Sequence, residues 1–261
     1  MITEGQVAHF NTFGFLLLKQ VFSSTEMAAI TREYESFIEI GEKNPIQAER
    51  GVTTVSSIIE MSPRLTELAI DDRIYGTIKQ LLEPGFIWSG SEGQRGRSFA
   101  AWHADRPGKK ELFFTRIKVH LYLDPTTKET GALRVIPGSQ RSPYHDCLQP
   151  LHHYHDKQGH EKTADNPHPF VLEGPEIPGY AIESNPGDIV FFNQSVMHAV
   201  YGRLVNQRRY IAFKFADRPT TDRHIESLKK WSENALHPEE NFLNSANPRI
   251  RNMVEGLVEL A

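Results

Sequence analysis

Only one cysteine, Cys147, occurs in the 261 residues, so no disulfide can close within the chain and no thiolate cluster can hold zinc. Long hydrophobic runs are missing as well. The run nearest the start, Phe13 to Leu18, is broken by Gly14 and closed by Lys19 and Gln20. It is too short for a usual secretory-signal core and far too short to span a bilayer. A reducing cytoplasm and no membrane partner are the resulting expectations. Neither sign of charge is in large excess: 29 Lys and Arg against 33 Asp and Glu give a net charge of −4, which leaves no basic footprint for nucleic acid. Repeats, low-complexity tracts and long linkers are absent, so residues 1–261 read as one domain, with 39% hydrophobic residues to build its core.

What is present has two textures. Residues 3–11 suit a short helix and 13–18 a strand; Ser23 and Glu26 have the spacing of a capping box before a helical pattern that reaches about Ile40. A second helical pattern runs from Pro63 to Leu82, breaks near Asp71 and stops at Pro84-Gly85. Strands and turns follow. Arg116 to Leu123 alternates strictly, with Ile117, Val119, Leu121 and Leu123 on one face and Arg116, Lys118, His120 and Tyr122 on the other. Gly131–Ile136, Ile189–Phe192 and Arg208–Phe215 are further strands, and Asn185-Pro186-Gly187-Asp188 is a turn. Gly90 to Gly96 reads as a flexible loop. After Pro219 the pattern is helical again. Short strands between turn signals favour a sandwich or barrel, here with helices from both ends of the chain around it.

His103-Ala104-Asp105 places two ligand-type side chains on one face of a strand, and His198 follows its own turn-and-strand unit. Two histidines and a carboxylate form the ligand set of an open-faced non-haem Fe(II) site. In the Arg208 strand, Arg209, Ile211, Phe213 and Phe215 share the more apolar face, which is expected to point inward. A buried arginine needs an anion. No acid is fixed beside Arg209 by sequence, so a bound dicarboxylate is its expected partner, with Arg208 left to solvent.

These residues, in this order, resemble the phytanoyl-CoA dioxygenase family of Fe(II)/2-oxoglutarate-dependent oxygenases. The likeness is carried by the opening helix–strand–helix stretch, by WHAD, by LYLDPTTKETGALRVIPGSQR and by NPGDIVFFNQSVMHAVYGRLVNQRRY. It implies a mainly β double-stranded β-helix (jelly roll, cupin-like) with flanking helices. It also implies Fe(II) on His103, Asp105 and His198, with 2-oxoglutarate on Arg209 and O2 as co-reactant. Lys118 and Tyr122 are further candidates for 2-oxoglutarate contact. Asp105 argues for oxygenation over halogenation, since halogenating relatives carry Ala or Gly there. Gln140 departs from the histidine that usually follows Pro-Gly-Ser. The implied reaction is hydroxylation of a small-molecule substrate with decarboxylation of 2-oxoglutarate to succinate. Two rivals are a cupin-type iron dioxygenase without 2-oxoglutarate and a non-enzymatic jelly-roll binding protein. Trp102 is expected to pack, Asn206 to form a turn, and the histidines from His145 to His168 to lie in a solvated loop or lid.

Overall fold

The computed structural model describes residues 1–43, 48–49, 52–96, 99–152, 172, 174–202 and 208–261. The opening helix, Glu4–Phe13, is capped by Thr3 in a capping box with Gln6, and Gly14 ends it in the left-handed conformation. Ser23 and Glu26 make the anticipated capping box, and the helix runs Ser24–Glu42. The break near Asp71 is also found: the helix Pro63–Ile70 stops there, and the Asp71 side chain accepts from the Arg73 N–H to start a further turn. Towards the other end lie the helices Asp222–Trp231 and Pro248–Val254. Among the described residues no helix is long and apolar enough to cross a membrane.

The strands are β1 (Phe15–Leu18), β2 (Ala48–Glu49), β3 (Val52–Ser56), β4 (Phe86–Arg95), β5 (Phe99–His103) and β6 (Arg116–Tyr122). They continue with β7 (Thr130–Val135), β8 (Tyr180–Ile182), β9 (Ile189–Asn193), β10 (His198–Gly202) and β11 (Arg209–Asp217). One sheet has the order β1-β9-β6-β11-β4-β3-β2 and the other β5-β10-β7-β8. Neighbours in both are antiparallel, and the two sheets form a jelly roll. Residues Gly90 to Gly96 do not form the expected loop. Gly90 to Arg95 lie in β4, where Gly90 takes φ 101° at an irregularity in the pairing with β11. A glycine inside a strand marks a bulge of this kind.

The larger sheet is buried on both faces, and this decides where the site lies. Ile117, Val119 and Leu121 of β6, with Ile211, Phe213 and Phe215 of β11, join a core that also holds Tyr34, Ile38, Leu65, Leu228 and Met253 from the helices. The opposite face, with Tyr122, Val190, Phe192, Tyr210 and Ala212, packs against Leu133, Val135 and Val200 of the smaller sheet. The apolar face therefore looks towards the helices, and the polar face lines the space between the sheets.

Candidate metal centre

β5 ends at His103 and β10 begins at His198, and the two residues are register partners across the ladder. Their rings lie 4.2 Å apart between centroids. Asp105, just past the end of β5, brings Oδ1 to 3.6 Å from His103 Nε2 and 3.7 Å from His198 Nε2. The three ligand atoms all lie within 4.8 Å of one another, the one such cluster among the described residues. Each imidazole is turned by the carbonyl two residues before it: His103 Nδ1 is 2.7 Å from that of Ala101, and His198 Nδ1 is 2.8 Å from that of Val196. A carbonyl only accepts, so Nδ1 carries the hydrogen in both rings and Nε2 is the nitrogen turned to the cluster. Burial, followed by His103, brings the His198 pKa down to about 3 and keeps it neutral, as a metal ligand must be.

Asp105 divides its two oxygens. Oδ1 faces the histidines, while Oδ2 is 3.6 Å from Lys118 Nζ. Burial alone would raise this carboxyl, but the Lys118 ammonium outweighs it and holds the group well below the usual carboxylate range. Lys118 also lies 3.4 Å from Glu92, which Lys214 meets at 2.7 Å. Burial opposes ionisation of Glu92, and the two lysines overcome it and bring its pKa to about 2. Lys118, Lys214 and Glu92 thus make a charged wall beside the ligand cluster, on the inner face of the larger sheet.

A second set of polar groups continues along that face. Arg208 is only 4% exposed; its Nε donates to the Gly131 carbonyl at 2.7 Å and its Nη2 to Tyr122 Oη at 3.0 Å. Tyr122 Oη is in turn 3.1 Å from His120 Nδ1. Arginine can only donate; where the Tyr122 hydroxyl in turn donates to His120 Nδ1, the histidine hydrogen sits on Nε2. Burial, with Lys118 and Arg208 nearby, holds the His120 pKa well below its ordinary value, so the ring is neutral. Its Nε2 is buried and has no hydrogen-bond partner among the described residues. A buried N–H of this kind calls for an acceptor.

The structure corrects the expectation for Arg209. Its guanidinium donates to both oxygens of Asp124, at 2.9 and 2.5 Å, and to Glu35 at 2.6 Å, away from the ligand cluster. The inward residue is its neighbour Arg208. Asp124 stands in LYLD as a charge just beyond β6, and it is the one sequence signal that points to a protein partner for Arg209. His103, Asp105, His198 and Lys118 are brought together, and Tyr122 joins through His120. Glu92 and Lys214 had no signal in the sequence. Trp102 packs as expected, fully buried with Nε1 donating to the Gly174 carbonyl. Gln140 donates to the carbonyls of Asn11 and Thr12 and so ties its turn to the opening helix. Of the histidine-rich segment, His145 spends both ring nitrogens on Ser139 and Gly108, and His152 accepts from the Ala104 N–H. His153, His155, His160, His168 and Asn206 lie outside the described residues.

The family model of phytanoyl-CoA dioxygenase matches residues 10–209. Among curated proteins, an ectoine dioxygenase of Bordetella parapertussis is 27% identical over 221 residues, covering 76% of this chain and 69% of that protein. Among solved structures, HygX from Streptomyces hygroscopicus with nickel, 2-oxoglutarate and hygromycin B bound aligns with a TM-score of 0.63 and 18% identity, over 85% of this chain and 90% of that one. EctD from S. alaskensis with bound Fe aligns with a TM-score of 0.59 and 19% identity, over 83% of this chain and 77% of that one.

Proposed function

The chain belongs to the phytanoyl-CoA dioxygenase family, and we propose that, as an Fe(II)/2-oxoglutarate-dependent dioxygenase, it hydroxylates a polar small molecule. The observation that carries this reading is the cluster itself: two imidazoles with Nε2 turned inward and one carboxylate oxygen, all within 4.8 Å. That donor set fits Fe(II). Its remaining side opens on the buried polar groups of the larger sheet. Iron, O2 and 2-oxoglutarate, when bound, supply the oxidation of a C–H bond, with 2-oxoglutarate leaving as succinate and CO2.

The side chains divide the remaining work. His103, Asp105 and His198 would hold the metal, with the Nδ1 hydrogen bonds to Ala101 and Val196 fixing the two rings. Lys118, paired with the second oxygen of Asp105, keeps that carboxylate from turning. Arg208, not Arg209, is the anchor assigned to the far carboxylate of 2-oxoglutarate, because it faces the interior and is braced by Gly131 and Tyr122. The His120 N–H, which has no acceptor among the described residues, supplies one more donor to that acid. The charged wall of Glu92, Lys118 and Lys214 suits a polar substrate rather than a long apolar chain.

The test is an anaerobic titration of the full chain with Fe(II) and 2-oxoglutarate, following the weak visible charge-transfer absorption of the chelate. The band is expected in the native protein and is lost in His103→Ala. Iron bound at one equivalent with no band, and no succinate formed in air, would point to an iron dioxygenase that does not use 2-oxoglutarate.

A further inference from the structure

Several buried side-chain nitrogens without a hydrogen-bond partner among the described residues belong to one group: Arg106 Nε, Arg116 Nε and Nη1, and Trp231 Nε1. The backbones of Arg106 and Arg116 meet on one residue, since the Arg106 N–H donates to the Gln194 carbonyl and the Gln194 N–H donates to that of Arg116. Both side chains then reach the helix Asp222–Trp231, one at Ser227 within it and the other at its C-cap Ser232. Arg106 Nη2 donates to Ser232 at 3.3 Å, Arg116 Nη2 donates to Ser227 at 2.7 Å, and Trp231 lies between these serines in sequence. Arg106 Cζ is 5.7 Å from the Trp231 ring centroid, and Lys230 Nζ is 4.6 Å from it.

Glu111 lies 3.5 Å from Arg116 Nη1, and Asp105 and Asp217 act on Arg106 and Arg116 through space, yet none of the three accepts from Arg106 Nε, Arg116 Nε or Trp231 Nε1. Arg106 uses Nη1 on the carbonyl of Asp105, a neutral acceptor. Burial pulls Arg116 down to about 10, with Arg106 adding to the effect. Two like charges held this close, with several N–H groups lacking acceptors, make a site that a negative oxygen would complete. Arg116 is sealed at 1% exposure, whereas Arg106 and Trp231 are half-buried and Lys230 is exposed, so the group opens on the Arg106 side.

We infer that Arg106, with Trp231 and Lys230 beside it and Arg116 behind, binds an oxyanion carried by the substrate, a carboxylate or a phosphate. The position fits that role, because Arg106 directly follows the ligand Asp105 and so lies next to the metal centre. The substrate is then an acidic small molecule, held by its anion while another carbon is presented to the metal. Assigning the anion to the substrate rests on the function proposed above; the binding site itself does not.

The experiment uses the full chain loaded with Ni(II) and 2-oxoglutarate, titrated separately with inorganic phosphate and with acetate, by calorimetry and by tryptophan emission. Saturable binding of one of the two is expected, and the tighter one identifies the substrate's oxyanion. Arg106→Gln should weaken it at least tenfold, with partial recovery in Arg106→Lys. Trp231→Phe should remove the emission change and keep the heat. Neither anion saturating, or unchanged binding in Arg106→Gln, overturns the site. Binding of 2-oxoglutarate is measured first: Arg106→Gln should leave it unchanged. If 2-oxoglutarate fails to bind while phosphate binds through Arg106, the proposed function falls and the oxyanion site stands. The reverse pattern removes the oxyanion site alone.

Discussion

Arg208 and Arg209 are adjacent, chemically identical and placed in different surroundings, which makes them a direct test at the scale of single residues. Arg209 is locked between Asp124 and Glu35 near the surface. Arg208 is buried against Tyr122 and Tyr210, with its Cζ 5.1 and 4.8 Å from their ring centroids. A charge-assisted hydrogen bond contributes roughly 1.5–3 kcal/mol, or about 10- to 150-fold in affinity. Arg208→Gln should therefore raise the 2-oxoglutarate dissociation constant about 100-fold, measured by calorimetry on Ni(II)-loaded protein. Arg209→Gln should leave that constant unchanged and lower the unfolding free energy by about 1 kcal/mol, a figure reduced for the partial exposure of the pairs. The opposite pattern would return the anchor to Arg209. His120→Phe keeps the ring volume and removes the buried N–H; a loss of about tenfold in 2-oxoglutarate affinity is expected from one hydrogen bond to a charged acceptor. An unchanged affinity would show that the N–H serves another acceptor.

Among the elements, the turn before β9 carries much of the register that sets His198. Gly187 has φ 97°, and a Cβ there would stand 2.4 Å from the Phe22 carbonyl oxygen. Its own carbonyl accepts from the N–H groups of Val21 and Phe22, and Asp188 accepts from Gln20 and Asn185. Left-handed backbone alone costs a non-glycine residue about 1–2 kcal/mol, and the contact with Phe22 adds to it. Gly187→Ala is expected to lower stability by about 2 kcal/mol in urea unfolding, with Fe(II) binding kept below the transition. No loss would mean that the turn moves freely away from Phe22. This turn was legible in Asn-Pro-Gly-Asp, as were the Ser23–Glu26 cap and the alternation of β6, because each is written in neighbouring residues. What alternation cannot tell is which face of a strand looks where. With both faces of the larger sheet buried, the apolar row of β11 went to the helices and the polar row to the site. The partners that hold Arg209, Glu35 and Asp124, are 174 and 85 residues away in sequence. His103 and Asp105 are two residues apart, so their closeness does not depend on which way the sheet faces, although Asp105 lies just past the end of β5.

At the scale of the whole molecule, Glu60 joins parts of the chain that are far apart in sequence. It lies in the helical turn Ile58–Met61, 3% exposed. It accepts from Trp88 Nε1 at 2.7 Å and bonds Ser91 in β4, while its carbonyl receives Asn241 from the helix Glu240–Leu243. Burial pushes its carboxyl above the ordinary 4.5, and the Ser91 and Trp88 hydrogen bonds offset only part of that rise. The sign of the pH effect follows from this. A raised folded pKa means that the folded state binds the proton more tightly than the unfolded one. The stability it contributes is fully present below about 4.5 and is lost as pH rises through the folded value, at about 1.4 kcal/mol for each pH unit that separates the folded from the unfolded pKa. Gln at this position keeps the volume, accepts from Trp88 and donates to Ser91 without a charge to desolvate. Glu60→Gln should therefore unfold at higher urea than the native protein at pH 8, with the gap closing as pH falls towards 4.5. The difference between the two proteins, taken at each pH, removes the contributions of every other titrating group. A gap that is constant with pH, or that widens towards acid, would mean that the folded core does not raise the Glu60 carboxyl.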